Sequence, residues 1–127
     1  MEVTPLIPEG RQLVQSYRPG GFTVSGVRHD GSILVMPDRT LPWAATALAE
    51  VTTESLAGLR EAQPAIELLL LGTGAGFALV DPKLRAEVRQ WGIVIDGMTT
   101  PAAARTYNVL LAEGRRVAAA LLAMPAA

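Results

Sequence analysis

A chain of 127 residues is long enough to bury one real core and too short for a cofactor domain plus a substrate domain, so one domain is expected. Half of the residues are hydrophobic and the formal charge is −1, with the lysines and arginines scattered, which excludes the basic footprint a nucleic-acid binder needs. With no cysteine and His29 as the only histidine, disulfides, thiolate nucleophiles, zinc clusters and histidine-based metal sites have no residues to build them.

The opening MEVTPLIPEGRQ has no apolar h-region behind a basic start, which predicts a cytoplasmic protein. The most apolar run, Val117 to Met124, is far below the roughly 20 residues of a membrane span, so it reads as a buried strand and no membrane insertion is expected. Residues 1–20 read as an irregular lead. Next, GFTVSGVRHDGSILVMP places Phe22, Val24 and Val27 before an Asp30-Gly31 turn signal and Ile33, Leu34 and Val35 after it, which predicts an N-terminal hairpin with His29 as a solvated turn residue. Pro42 and Trp43 interrupt the pattern that follows.

From Thr52 the order alternates. TTESLAGLRE, with threonines ahead of Glu54 and apolar Leu56 and Leu59, predicts a short capped helix. IELLLL is apolar on both faces, as central parallel strands are. Asp81-Pro82 is an N-cap followed by a proline at the first helical position, and Leu84, Val88 and Trp91 mark one face until Gly92. Ile93 to Ile95 form the next strand, ending at Asp96. Thr100-Pro101 repeats the cap-plus-proline device and opens a helix to about Ala112, closed by Gly114, before a last strand to Leu122. The expected fold is α/β: a three-layer single domain over residues 1–127, with an N-terminal β-hairpin, then α-β-α-β-α-β, a largely parallel central sheet and a frayed tail at 125–127.

If the strands ending at Leu71 and Asp96 are parallel neighbours, the loops GTGAG and DGMTT leave the same edge of the sheet, where open α/β sheets bind ligands. The helix behind Thr100 would aim its N-terminus there, suited to an anion. Gly72, Thr73, Gly74, Met98, Thr99 and Thr100 therefore form a candidate ligand crevice. A dinucleotide site is tempting, because Asp96 lies about 20 residues beyond the glycines. The fingerprint fails twice: the third glycine is one place early, and GFALV intervenes before any helix. The glycines are better read as permitting a tight turn and close packing. No P-loop lysine follows, and no cofactor is expected.

Nucleophilic catalysis lacks support, since no serine sits in a G-x-S-x-G elbow. Glu50 and Glu54 at a helix start serve the dipole more naturally than general acid/base work. Trp43 and Trp91 are expected to pack, although Trp43 beside Pro42 suits a pocket rim. In PAAARTYNVLLAEGRR, Ala103, Tyr107, Leu110 and Leu111 share one apolar arc, which accounts for the core face without Arg105 and Asn108. These two read either as a solvated helix face or as a partner-binding patch, arginine being enriched at interfaces.

The order GFTVSGVRHDGSILVMP, Pro42-Trp43, TTESL, ELLLLGTG, WGIVIDGMTT and ARTYNVLLAEGRRVAAALL resembles a family of small single-domain bacterial and archaeal proteins. That family includes the mitochondrial complex I assembly factor and the adipogenesis-associated Mth-like protein. The resemblance runs from about Gly21 to Leu122, its most specific parts being Gly72-Thr73-Gly74, Arg105 to Asn108, and Glu113-Gly114-Arg115. It implies a three-layer α/β domain, no established enzymatic activity among bacterial members, and action through protein partners during assembly of a respiratory complex. Gly76 to Val80 fills the segment after GTG with apolar residues to which the resemblance assigns no role. Two functions follow as expectations: a non-enzymatic protein-binding domain serving a membrane-complex subunit, or a binder or enzyme for a small anionic metabolite at the glycine-edged crevice. An exposed sheet edge would also support a homo-oligomer.

Overall fold

The computed structural model describes residues 11–125; the first half of the predicted irregular lead and the last two residues of the predicted frayed tail lie outside them. Two sheets result. Strands β1 (Val14–Arg18), β2 (Gly21–Val24) and β3 (Val27–Asp30) form an antiparallel sheet in that order. Strands β4 (Ser32–Met36), β5 (Arg39–Trp43), β6 (Leu68–Gly72), β7 (Val94–Met98) and β8 (Val117–Leu121) form a second sheet in the order β5-β4-β8-β6-β7. Helix α1 (Pro82–Arg89) links β6 to β7, and α2 (Thr100–Ala112) links β7 to β8.

The second sheet is mixed, which corrects the largely parallel sheet expected. β6 pairs in parallel with both β7 and β8, but β4 runs antiparallel to β8 and to β5. Helical crossovers return the chain in one direction, so β6, β7 and β8 are parallel; the short Pro37-Asp38 link reverses it, so β4 and β5 are not.

The hairpin turn also moves. Ser25-Gly26, with φ of 45° and 84°, joins β2 to β3 at the register Val24↔Val27; positive φ at both central residues matches the twist of a two-residue hairpin. At Asp30-Gly31 the chain instead passes from one sheet to the other. Its two sides differ in burial: every residue of β4 is buried, while β3 is mostly exposed. His29 accordingly lies on β3, half-buried opposite Phe22, rather than at a turn. Within the expected irregular lead, residues 14–18 are a strand, β1. Its ladder partner β2 is close by, but its other partner is α2, far along the chain, and no local pattern announces that contact.

Glu54–Glu61 is a 3-10 helix, not the α-helix its sequence suggests. Thr52 and Ser55 brace its start reciprocally: Ser55 N–H donates to Thr52 Oγ1 at 3.1 Å and Thr52 N–H to Ser55 Oγ at 3.0 Å. The indole of Trp43 then donates to the Ser55 carbonyl at 3.0 Å, so Trp43 is packed and buried.

Side-chain alternation divides the core between the two faces of the second sheet. Leu69, Leu71, Ala118 and Ala120 pack with Leu56, Leu59, Leu84 and Val88. Leu70, Val117, Ala119 and Leu121 pack with Ala103, Ala104, Tyr107 and Leu111 of α2 and with Phe22 and Val24 of the first sheet. Ala119 of β8 shares this face with Ala103 and Ala104, and these small side chains let α2 lie close against the sheet.

Candidate functional site

The parallel pair β6 and β7 ends in register, Gly72 opposite Met98, so both loops leave the same edge and the six crevice residues do come together. They are bonded chiefly to one another. Thr73 N–H donates to the Met98 carbonyl at 2.8 Å and Thr100 N–H to the Gly74 carbonyl at 2.8 Å. Gly74 N–H donates to Thr100 Oγ1 at 2.9 Å, and that hydroxyl donates onward to the Leu122 carbonyl at 2.7 Å. Leu122 N–H donates to the Gly72 carbonyl at 3.1 Å. Thr73 Oγ1 closes the loop on the Gly76 carbonyl at 2.7 Å.

The N-cap of α2 is Thr99, whose hydroxyl accepts from Ala102 N–H at 3.4 Å, with Pro101 at the second helical position. Thr100, expected as the cap, is fully buried and serves as the cross-link just described. Gly72 is required by proximity: a Cβ there would lie 2.8 Å from Thr100 Oγ1 and 2.9 Å from its Cα. Gly74 is required by its φ of +98°. Residues 73–81 contain no helix, so no helix N-terminus follows the glycines. The arrangement is a joint tying β6, α2 and β8 together, and its amides at Thr73, Gly74 and Thr100 already have acceptors. Among the described residues no group of three or more His, Asp or Glu side chains is placed to hold a metal ion.

On α2, Arg105 and Asn108 have different surroundings. Asn108 is half-buried and its amide is matched to the backbone of β1: Val14 N–H donates to Oδ1 at 2.9 Å and Nδ2 donates to the Val14 carbonyl at 2.7 Å. On the preceding residue, the buried Tyr107 hydroxyl donates to the Gln12 carbonyl at 2.8 Å; desolvation pushes the Tyr107 phenol above its ordinary range. Arg105 stays exposed. Its guanidinium donates to Tyr17 Oη at 3.4 Å and forms no ion pair among the described residues. Tyr17 is 37% exposed, and Val109, one helical turn beyond Arg105, is 58% exposed. Tyr17 and Val109 are the members of this face that sequence reasoning missed. Val109 follows Arg105 at i+4 spacing and was there to be found; Tyr17 reaches the face only through the tertiary fold.

A mixed five-stranded sheet with helices on its crossovers and a small antiparallel sheet beside it defines a single α/β domain of the Mth938-like type. A solution structure of a Bordetella pertussis protein described as a Mth938-like domain superposes with a TM-score of 0.83 at 30% identity, covering 100% of this chain and 95% of that one. A crystal structure described as an outer membrane protein from Bartonella henselae gives 0.82 at 38% identity, covering 91% and 97%. The chain belongs to the family described as Protein of unknown function (DUF498/DUF598), whose model matches residues 14–122.

Among relatives, an uncharacterized protein of Rhodobacter capsulatus is 40% identical over 93% of this chain and 90% of its own length. NADH dehydrogenase (ubiquinone) 1 alpha subcomplex assembly factor 3 of Danio rerio is 35% identical over 90% of this chain and 66% of its own length. The Homo sapiens protein of the same name is 30% identical over 88% and 61%. The chain thus spans nearly all of the bacterial relative and a little under two thirds of these assembly factors.

Proposed function

We propose that this chain is a non-enzymatic protein-binding domain that takes part in assembling a membrane-associated respiratory or related complex, in the cytoplasm, and that its partner engages the outer face of α2 at Arg105. The observation that carries this reading is the cluster of Tyr17, Arg105 and Val109: an arginine with no ion pair among the described residues, held against an exposed tyrosine and beside an exposed aliphatic residue. Interface hot spots favour aromatic residues and arginine, and a guanidinium already oriented by a neighbour loses less entropy on binding. Kinship with proteins named as complex I assembly factors supplies the kind of partner. Asn108 contributes by fixing α2 against β1 rather than by direct contact.

The alternative, an anionic metabolite at Gly72 to Gly74 and Met98 to Thr100, has less behind it. Such a ligand would compete with acceptors that already hold the Thr73, Gly74 and Thr100 amides, and buried bonds of this kind cost free energy to break. The deciding experiment is affinity capture from a detergent-solubilised lysate with the wild-type chain and Arg105→Ala side by side. Subunits of a respiratory complex retained by the wild type and lost with Arg105→Ala are expected. Equal capture by both proteins, or none by either, would remove the α2 face from consideration.

A further inference from the structure

The apolar run Gly76 to Val80 borders a cleft that neither the glycine joint nor the α2 face uses. A cavity of about 360 Å3 is lined by Leu48, Ala49, Val51, Leu79, Asp81 and Leu84. A smaller one of about 160 Å3 shares Val51, Asp81 and Leu84 with it and continues past Thr53, Lys83 and Glu87. Together they make one groove between the 48–53 segment and the start of α1. Leu84 and Val88 bury the sheet-facing side of α1 in the core cluster opposite to the one that holds α2, so the groove and Arg105 belong to opposite faces of the five-stranded sheet.

Two features point to an occupant. Leu79 lines the groove while 81% exposed, and Phe77, two residues earlier on the same loop, is 63% exposed; large apolar side chains left in water beside an apolar cleft mark a contact surface. The polar rim is acidic on balance, with Asp81 and Glu87 against Lys83, and the exposed Glu50 and Glu54 flank the lining residues in sequence. Thr46 N–H and Oγ1 both donate to the Glu50 carboxylate, at 2.7 and 2.6 Å, and hold it in its charged form below the usual carboxylate range. An acidic rim repels anionic lipid headgroups and acidic peptides and attracts lysine and arginine.

We propose that this groove docks a partner polypeptide segment whose leucine-like side chains enter between Leu48, Val51, Leu79 and Leu84 while flanking lysines or arginines meet Asp81 and Glu87. The inference rests on reading the chain as a protein-binding domain but not on the α2 face. With docking surfaces on both faces of the sheet, the domain would hold two polypeptides at once, as a factor that brings subunits together must.

The test uses the full isotope-labelled chain and a synthetic amphipathic peptide of leucine and lysine at helical spacing, followed by NMR shift changes. Saturable shifts are expected at residues 48–53 and 77–87, with Tyr17, Arg105 and Val109 unmoved. Leu79→Ser, at a position too exposed to hold the fold, should weaken binding roughly tenfold. Glu87→Lys should weaken binding of the leucine–lysine peptide and favour a leucine–glutamate counterpart. Absent shifts at the groove, equal binding of the glutamate peptide to the wild type, or indifference to Leu79→Ser would each overturn the proposal. So would concentration-dependent shifts of the same residues in the protein alone, which would assign the groove to a second copy. Stronger binding to phosphatidylcholine or phosphatidylglycerol vesicles, lost in Leu79→Ser, would make the loop a lipid contact instead. Groove shifts that persist in Arg105→Ala would separate this site from any failure of the α2 face.

Discussion

The hydroxyl of Thr100 donates to the carbonyl of Leu122 at 2.7 Å, joining the first turn of α2 to the residue that follows β8. The same oxygen accepts from Gly74 N–H at 2.9 Å, so one buried side chain satisfies a donor from the glycine loop and an acceptor from the far strand. Thr100→Val keeps the shape and strands both groups. An unsatisfied buried polar group costs about 1–3 kcal/mol, and the variant should lose stability in that range or somewhat above it, measured by urea unfolding. Thr100→Ser should lose distinctly less, since it keeps both bonds.

Gly72→Ala and Gly74→Ala should both destabilise, for different reasons. At Gly72 the added methyl meets Thr100 Oγ1 and Cα below 3.0 Å, an overpacking cost of about 1–3 kcal/mol. At Gly74 nothing lies within 4 Å of the new methyl and the cost is the backbone conformation at φ +98°, of order 1 kcal/mol. The amide spectrum separates them: Gly72→Ala should move Thr100 and Leu122, whereas Gly74→Ala should disturb its own loop.

Asn108→Leu and Arg105→Ala should part company in stability. Asn108 satisfies both backbone groups of Val14; leucine abandons them and should cost about 1–3 kcal/mol, together with faster hydrogen exchange at the Val14 amide. Arg105 is exposed with one long hydrogen bond, so Arg105→Ala should change stability by less than about 0.5 kcal/mol. A melting temperature unchanged by Arg105→Ala qualifies that variant as a clean probe of partner capture; a large drop would mean that Arg105 holds β1 in place.

Glu67 accepts from Arg115 at 3.2 Å and from Arg116 at 3.0 Å, and these hydrogen bonds hold its carboxyl below the usual range. A carboxylate whose folded pKa is depressed contributes stability above its unfolded pKa of about 4.3, and that contribution disappears as pH falls through the lower folded value. Wild type and Glu67→Gln should therefore converge in melting temperature at strongly acidic pH and differ near neutrality. All three side chains are partly solvated, so the difference should be small and should shrink in high salt.

The second half of the fold was legible because its boundaries are written locally. Asp81-Pro82 caps α1 as expected, the Asp81 carboxylate accepting from Lys83 N–H at 2.9 Å. Gly92 and Gly114 adopt the positive φ expected of helix stops. Pairing was less legible, because alternation says that a strand has two faces but not which strand lies beside it: the buried run Ser32 to Met36 fits a hairpin partner of β3 as well as an interior strand of another sheet. The candidate crevice was legible as a place but not in its internal bonding. Spacing brings Gly72 to Gly74 beside Met98 to Thr100, yet whether their amides face a ligand or one another depends on Leu122 and the exact seating of Thr100. Asn108 is the same case, since its partner Val14 lies 94 residues earlier.

The position of β8 bears on how the domain is made. This strand is the last of the five to be synthesised, yet it sits in the middle of the sheet, with β4 on one side and β6 on the other. Until Val117 to Leu121 have left the ribosome, the β4–β5 ribbon and the β6–β7 pair have no shared neighbour, and the apolar faces of β4 and β6 stay open to chaperones or to aggregation. A stalled or clipped product ending before Val117 would lose the tie between its two halves, so a chain shortened by a tenth of its length would be cleared as wholly misfolded rather than as slightly weakened.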